Sequence, residues 1–312
     1  SYAFYAAWNP KLLLLIVFST VLDFVVGNAM DGSTSAWRRR AWLWVSLTGN
    51  LGLLAVFKYA GFARDSLQSL LDALSSGTEL PVVDLVLPVG ISFYTFQTLS
   101  YTIDIYRGTL QPARSFARFA LFVVFFPQLV AGPIVRAADF LPQLDKPPSV
   151  SAARHGYGLF LIVRGLVKKV AVADVLARSI VDRVFDSPEL YSSLEVAVAV
   201  YAYAVQIYAD FSGYSDIAIG AAALLGYKLP ENFRRPYVST NLQEFWRRWH
   251  VSLSTCLRDY LYVPLGGNRG ASLATYRNLM VTMLLGGLWH GAAWTFVIWG
   301  ALHGAGLAVV RW

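Results

Sequence analysis

Cysteine is almost missing from this sequence. Cys256 stands alone among 312 residues, which excludes an internal disulfide and any cysteine-built metal cage. Charge is scarce too: Asp, Glu, Lys and Arg make up 14% of the chain, against roughly 25% in an average soluble domain. The opening SYAFYAAWNP lacks the basic stretch and cleavage site of a signal peptide. No GxSxG elbow and no HExxH helix occurs, so neither a serine hydrolase nor a zinc protease is written here.

What fills the space is apolar. Hydrophobic residues are 56% of the chain and mean hydropathy is +0.49, the composition of a polytopic membrane protein. A net charge of +7 and a pI near 9.5 could suit nucleic acid. The basic residues, however, lie in short loops between apolar runs, which fits cytoplasmic loops facing anionic lipid and argues for a bilayer partner and no nucleic acid.

About 20 apolar residues cross the hydrocarbon core, so residues 12–30 read as a first span with Asp23 as its one charge. Trp37, Arg38, Arg39 and Arg40 form a loop placed in the cytoplasm by the positive-inside rule, and residues 41–60 are a second span. Residues 68–78 are polar enough for a surface segment. From Gly90 the pattern is helical, with Gln97, Ser100, Tyr101 and Asp104 on one face, read as interhelical hydrogen bonding ahead of substrate contact. Pro127, Gly132 and Pro133 predict a broken or re-entrant helix in residues 116–134. Residues 136–154 read as a soluble link, His155 as interfacial, and residues 157–176 as lying partly in the interface because Lys168 and Lys169 interrupt them.

Residues 194–225 form a long segment carrying Gln206, Asp210, Ser212, Tyr214 and Asp216. The two aspartates stand about 240° apart around a helix, so they pair only if Gly213 breaks it. Structural hydrogen bonding, or an ion pair with an Arg of the next segment, is the first reading, and a cavity lining by Asp210 and Tyr214 the second.

Residues 228–277 are basic. Thr240 followed by Gln243 fits a capping box. Leu242, Phe245, Trp246, Trp249, Leu253, Leu257, Tyr260 and Leu261 then recur at helical spacing, predicting one amphipathic interfacial helix with an aromatic face. His250 sits at the border of that face, aimed at the protein. Arg247 and Arg258 suit lipid phosphate or, alternatively, a phosphorylated acyl donor, and GGNRG, with Asn268 and Arg269, could form an anion nest. Forty residues after His250, His290 lies inside an apolar run. Ionisable groups at that depth cost about 2.5–3.5 kcal/mol. Histidine can enter neutral, either bonded to a nearby carbonyl or as a proton acceptor. No third ligand at a fitting spacing joins the two histidines, so metal ranks behind acid–base work.

The stretches ENFRRPYVSTNLQEFWRRWHVSLSTCLRDYLYVPLGGNRG, RNLMVTMLLGGLWHGAAWTFVIWGALHG, LPVGISFYTFQTLSYTIDIYRG, FFPQLVAGPIVR and YADFSGYSDIAIG resemble the membrane-bound O-acyltransferase family, nearest its bacterial alginate-acetylating branch. The resemblance covers nearly the whole chain. It implies an all-α, polytopic membrane bundle with re-entrant and amphipathic helices around a central tunnel, formed by residues 1–312 as a single domain that lacks helices at both ends. It matches the family's buried histidine to His290 and its upstream polar position to His250, with Trp249, Trp289, Asp210 and Tyr214 along the tunnel. By this resemblance the donor is cytoplasmic acetyl coenzyme A, with no bound cofactor. Acyl groups pass across a bacterial inner membrane toward an exported polysaccharide, with a periplasmic or membrane-anchored O-acetyltransferase as partner. D-alanyl transfer to teichoic acid is the runner-up. A transporter in which His290, Asp210 and Asp104 relay protons is the reading from another class, weakened by the absence of an inverted repeat.

Overall fold

A computed structural model describes residues 1–75, 77–148 and 150–311, and Trp312, where the sequence suggests a helix cut short, lies outside the described residues. The described residues contain helices and no strands. In chain order they are α1 (Tyr2–Ala6), α2 (Leu13–Asp31), and α3 (Ala36–Leu54) running through a π turn at Ala55–Tyr59 into α4 (Ala60–Ala73). Next come α5 (Ile91–Arg107), α6 (Phe116–Val123), α7 (Phe126–Leu129), α8 (Ala137–Leu144) and α9 (Ala152–Leu166). π turns at Val167–Ala173 and Ala177–Val181 flank α10 (Asp174–Leu176), and α11 (Asp182–Asp186) leads to α12 (Ser193–Leu224). The chain ends with α13 (Leu242–Arg248), α14 (Val251–Leu257), a π turn at Arg258–Tyr262, α15 (Ser272–His290) and α16 (Trp294–Arg311). Among the described residues three stretches are long and apolar enough to cross a bilayer: α2, the continuous α3–α4 rod Ala36–Ala73, and α12. The protein is a membrane helical bundle.

The second span is therefore longer than residues 41–60, because its helix continues through 68–73, where polar side chains line an exposed face. Nor are residues 136–154 a structureless link, since they hold α8, whose Phe140 is fully buried. The break expected in residues 116–134 is present between α6 and α7, with Pro127 in the first turn of α7. Gln128 then donates its side-chain amide to the carbonyl of Phe122 that the break frees, as does Gln97 from α5.

Helices α2, α3 and α5 are joined by a buried polar knot. Asp23 is fully buried and accepts from Ser46 Oγ at 2.6 Å and Asn50 Nδ2 at 2.8 Å, while Ser46 meets Thr102 at 3.0 Å. With no water in hydrocarbon, a carboxylate must find such partners inside the protein. The polar stripe of α5 likewise bonds between elements: Tyr101 Oη accepts from Ala113 N at 3.0 Å and Asp104 from Tyr260 Oη at 2.8 Å.

α12 is unbroken, so Asp210 and Asp216 face different neighbours. Asp216 pairs with Arg164 at 2.6 Å and Lys168 at 2.7 Å, and Asp210 with Lys169 at 2.6 Å. These cations precede α12, which corrects the expectation of an Arg from the segment after it. The pairs can form because α9 and α12 nearly touch: a Cβ at Gly165 would stand 2.5 Å from the carbonyl of Gly213. Small residues give membrane helices this approach. Gly165→Leu is expected to destabilise the fold by about 1–3 kcal/mol through overpacking, read as a lower melting temperature in detergent. An unchanged melt would mean that the crossing tolerates separation.

Candidate active site

The basic segment folds as two short helices with a corner between them. Asn241, rather than Thr240, caps α13: its side chain accepts from Glu244 N at 2.8 Å. Glu244 closes back on Thr240 N at 2.8 Å and Thr240 Oγ1 at 2.9 Å. The Thr240 backbone N–H, then its hydroxyl and Arg248, hold the Glu244 carboxyl below its usual range. After α13, Trp249 is extended and His250 adopts the left-handed conformation, φ 43° and ψ 55°. The backbone groups on either side of them, the Arg248 carbonyl and the Val251 N–H, are taken by another segment. Arg234 N donates to the Arg248 carbonyl and Val251 N to the Asn232 carbonyl, both at 2.9 Å, while Asn232 Oδ1 accepts from Ser252 Oγ at 2.7 Å. Ser252 Oγ in turn accepts from Ile134 N at 2.9 Å, tying the corner to the broken segment after α7. The single amphipathic helix predicted over residues 242–261 is thereby corrected. A strained residue held by so many bonds is over-determined, as is common at functional sites.

The corner sends Trp249 and His250 to different places. Trp249 joins an aromatic cluster, with ring centroids 5.0 Å from Phe233 and 5.5 Å from Phe245. His250 is 0% exposed, 4.7 Å from the Phe211 ring and 5.8 Å from Trp289, and neither of its ring nitrogens has a partner in the protein. Buried polar atoms are nearly always bonded, so two on one imidazole mark a place kept for something else.

His290 is the last residue of α15, half-buried, with its ring 5.1 Å from both Trp289 and Trp299 and 6.4 Å from His250. No hydrogen bond joins the two rings, because neither His250 nitrogen has a protein partner. The Nε1–H of Trp289 is also buried and unpartnered. The end of α15 is steadied by α16, which can cross it because Gly287 and Gly300 carry no side chain where their helices meet.

A cavity of about 830 Å³ comes as near to this pair as Val251 and Trp246, and neither histidine is in its lining. Arg234, Arg247, Arg258, Arg311 and Asn268 line it over an apolar wall that includes Trp246, and Val251, the residue after His250, is also in the lining. Arg258 is tied to Asp259 at 2.6 Å and Arg311 to Asn268 Oδ1 at 2.8 Å, while Arg247 has no ion-pair partner among the described residues. Burial raises the Asp259 carboxyl pKa, but hydrogen bonds from Arg258 and Arg136 outweigh that and leave it lowered. The cavity thus presents guanidinium groups around an apolar throat, a form suited to an anionic head and an uncharged tail. A second, apolar cavity of about 420 Å³ reaches Trp289 from the α3 and α5 side.

Of the residues singled out from the sequence, His250 and His290 meet, Arg247, Arg258 and Asn268 share one cavity, and Trp289 lines the other. Arg269 is exposed outside both linings, and Trp249 belongs to the aromatic cluster. Asp210 is half-exposed against Lys169, and Tyr214 lines neither cavity. Among the described residues no hydrogen bond links Asp104 or Asp210 to His290.

Two neighbours of the pair went unnoticed in the sequence. His303 accepts from Trp246 Nε1 at 3.3 Å, and its ring lies tilted 4.4 Å from Trp299, which also touches His290. Lys58 donates to the carbonyl of Trp289 and to Ser92 Oγ at 2.9 Å. A lone lysine within an apolar run was the available signal for it.

Comparison with known proteins bears on what such a site does. The model of the MBOAT, membrane-bound O-acyltransferase family, matches residues 112–311. Over its full length the chain is 45% identical to the probable alginate O-acetylase AlgI of Azotobacter vinelandii, covering 62% of that protein. It is 41% identical over 99% of its length to the peptidoglycan O-acetyltransferase of Helicobacter pylori, again covering 62%. It is 28% identical over 71% of its length to the teichoic acid D-alanyltransferase of Streptococcus thermophilus, covering 56%. The chain spans about three fifths of the length of the curated relatives it matches.

Proposed function

The chain belongs to the membrane-bound O-acyltransferase family, and from that premise we propose that it moves an acyl group, most simply acetyl, from a cytoplasmic thioester across the membrane to a hydroxyl destined for an exported polysaccharide. The observation that carries this reading is the histidine pair. His250 is wholly buried with both ring nitrogens unpartnered, 6.4 Å from His290, and the residue after it, Val251, lines a cavity of guanidinium groups. Acetyl is favoured over D-alanyl because identity to the acetylating relatives is higher and extends over the whole chain.

In this proposal acetyl coenzyme A enters by the arginine-lined cavity, its phosphates against Arg247 and Arg258. His290 accepts the proton of the attacking hydroxyl as the new C–O bond forms, and the C–S bond breaks. The thiolate then takes that proton from the imidazolium, so none is gained or lost. His250 orients the hydroxyl or carries the proton. General-base help of this kind is worth about 10²- to 10⁴-fold. Residence in the bacterial inner membrane, several crossings, a separate O-acetyltransferase partner and a polysaccharide acceptor complete the proposal.

Proteoliposomes holding the full chain and its acceptor partner, given acetyl coenzyme A on one side only, should release free thiol there and accumulate acetylated hydroxyls on the other. Release from a D-alanyl carrier thioester alone would move the assignment to the runner-up, and no thioester-dependent release would overturn it. Within the same assay, Arg247→Ala is expected to raise KM for acetyl coenzyme A about tenfold, as for one lost charge-assisted hydrogen bond. KM for acetyl-pantetheine, which lacks the nucleotide phosphates, should not move. Equal effects on both donors would remove Arg247 from phosphate contact.

A further inference from the structure

A cation inside a membrane-crossing helix is held by backbone carbonyls or by a carboxylate. Lys58, within the α3–α4 rod, has no carboxylate at ion-pair distance among the described residues. Its ammonium instead donates to the main-chain carbonyl of Trp289 and to Ser92 Oγ, and lies 5.7 Å over the Trp289 ring. The next residue repeats the pattern: Tyr59 Oη donates 2.8 Å to the carbonyl of Leu288. Both donors are the closing residues of the π turn Ala55–Tyr59, a distortion that recurs at functional sites.

The two acceptors matter because of where they are. Leu288 and Trp289 are the last residues of α15 before His290, and the final carbonyls of a helix have no partner within it. The negative end of the helix dipole also lies there, which favours a cation. After His290 the chain turns extended at Gly291, so helical bonding does not carry on past the imidazole. The arrangement is a two-point grip on the terminal turn that carries His290, made by side chains some 230 residues earlier in sequence.

We propose that Lys58 and Tyr59 are positioning residues for His290, holding the two carbonyls that precede it and so setting where its imidazole stands relative to His250. The proposal rests on His290 being the base. Misplacement of a catalytic group by about 1 Å can cost about 10²-fold in rate, so the grip should be visible in turnover rather than in donor affinity.

The test uses the full chain with its acceptor partner, comparing Lys58→Met, Lys58→Arg and Tyr59→Phe at matched folded yield. Lys58→Met is expected to lower kcat about 10²-fold, with KM for acetyl coenzyme A within about twofold because the arginine cavity is untouched. Lys58→Arg, which keeps a cationic donor, should recover kcat to within about tenfold of wild type. Tyr59→Phe, which removes one hydroxyl, should lose about tenfold. A role in stability alone would lower the melting temperature and leave kcat per folded molecule unchanged, and that result overturns the proposal. The ¹⁵N imidazole spectrum provides a readout independent of turnover, with the His290 signals identified by their loss in His290→Ala. Displaced signals in Lys58→Met support the grip even if wild type proves inactive toward thioesters, in which case the acyltransferase reading fails alone. Unmoved signals end the proposal.

Discussion

Replacing His290 by alanine is expected to lower thioester-dependent thiol release by about 10²- to 10⁴-fold, the usual worth of a positioned base. KM for acetyl coenzyme A should stay close to wild type, because the arginines that line the donor cavity lie in the loop before α13, on α13, in the π turn Arg258–Tyr262 and on α16, none of them on α15. The fold should survive. His290 is half-buried at the very end of α15, its contacts are the ring edges of Trp289 and Trp299, and alanine is a good helix former. The measurement is kcat and KM for thiol release together with a melting curve on the same preparation. A variant that melts like wild type and turns over at the wild-type rate would exclude His290 as the base. The reaction would then have to be sought at His250 or at His303, across Trp299 from His290.

How much of this site could be read from the chain follows from the range of the forces involved. A run of apolar residues long enough to cross a bilayer is a local property, and so the first span and α12 were legible almost to their ends. Proline and glycine act on their own turn, which is why the break between α6 and α7 was legible too. The corner at His250 was not. The spacing of Leu242, Trp246, Trp249 and Leu253 runs through it without a fault, and what stops the helix is the backbone of Asn232 and Arg234 arriving from upstream. The partners of Asp216 were misread for the same reason: a carboxylate records that it needs a cation, and the nearly touching glycines of α9 and α12 decide which one reaches it. Lys58 lies some 230 residues from the carbonyl it serves, beyond the reach of any periodicity.

His250→Phe is expected to separate structure from chemistry more sharply than any other change. Phenylalanine keeps an aromatic ring, one atom larger than imidazole, among Phe93, Phe211 and Trp289, so no cavity is made. No hydrogen bond is lost either, because neither imidazole nitrogen has a protein partner. Removing an unpaired buried polar group is neutral or stabilising where removing a paired one costs about 1–3 kcal/mol. The left-handed backbone at position 250 suits histidine better than phenylalanine, which should hold the melting temperature near wild type rather than above it. Turnover should nevertheless fall by about 10²-fold, the low end of the range for a proton carrier. A structural histidine would give the opposite pattern, a lower melt and an unchanged rate in the molecules that remain folded. The contrast follows from burial: an imidazole that nothing in the protein satisfies is an expense to the fold, and the chain holds it in place with four hydrogen bonds from Asn232, Arg234 and Ile134. The same carrier role requires that His250→Phe and His290→Ala combined be little worse than His290→Ala alone, since groups acting as a unit are not additive.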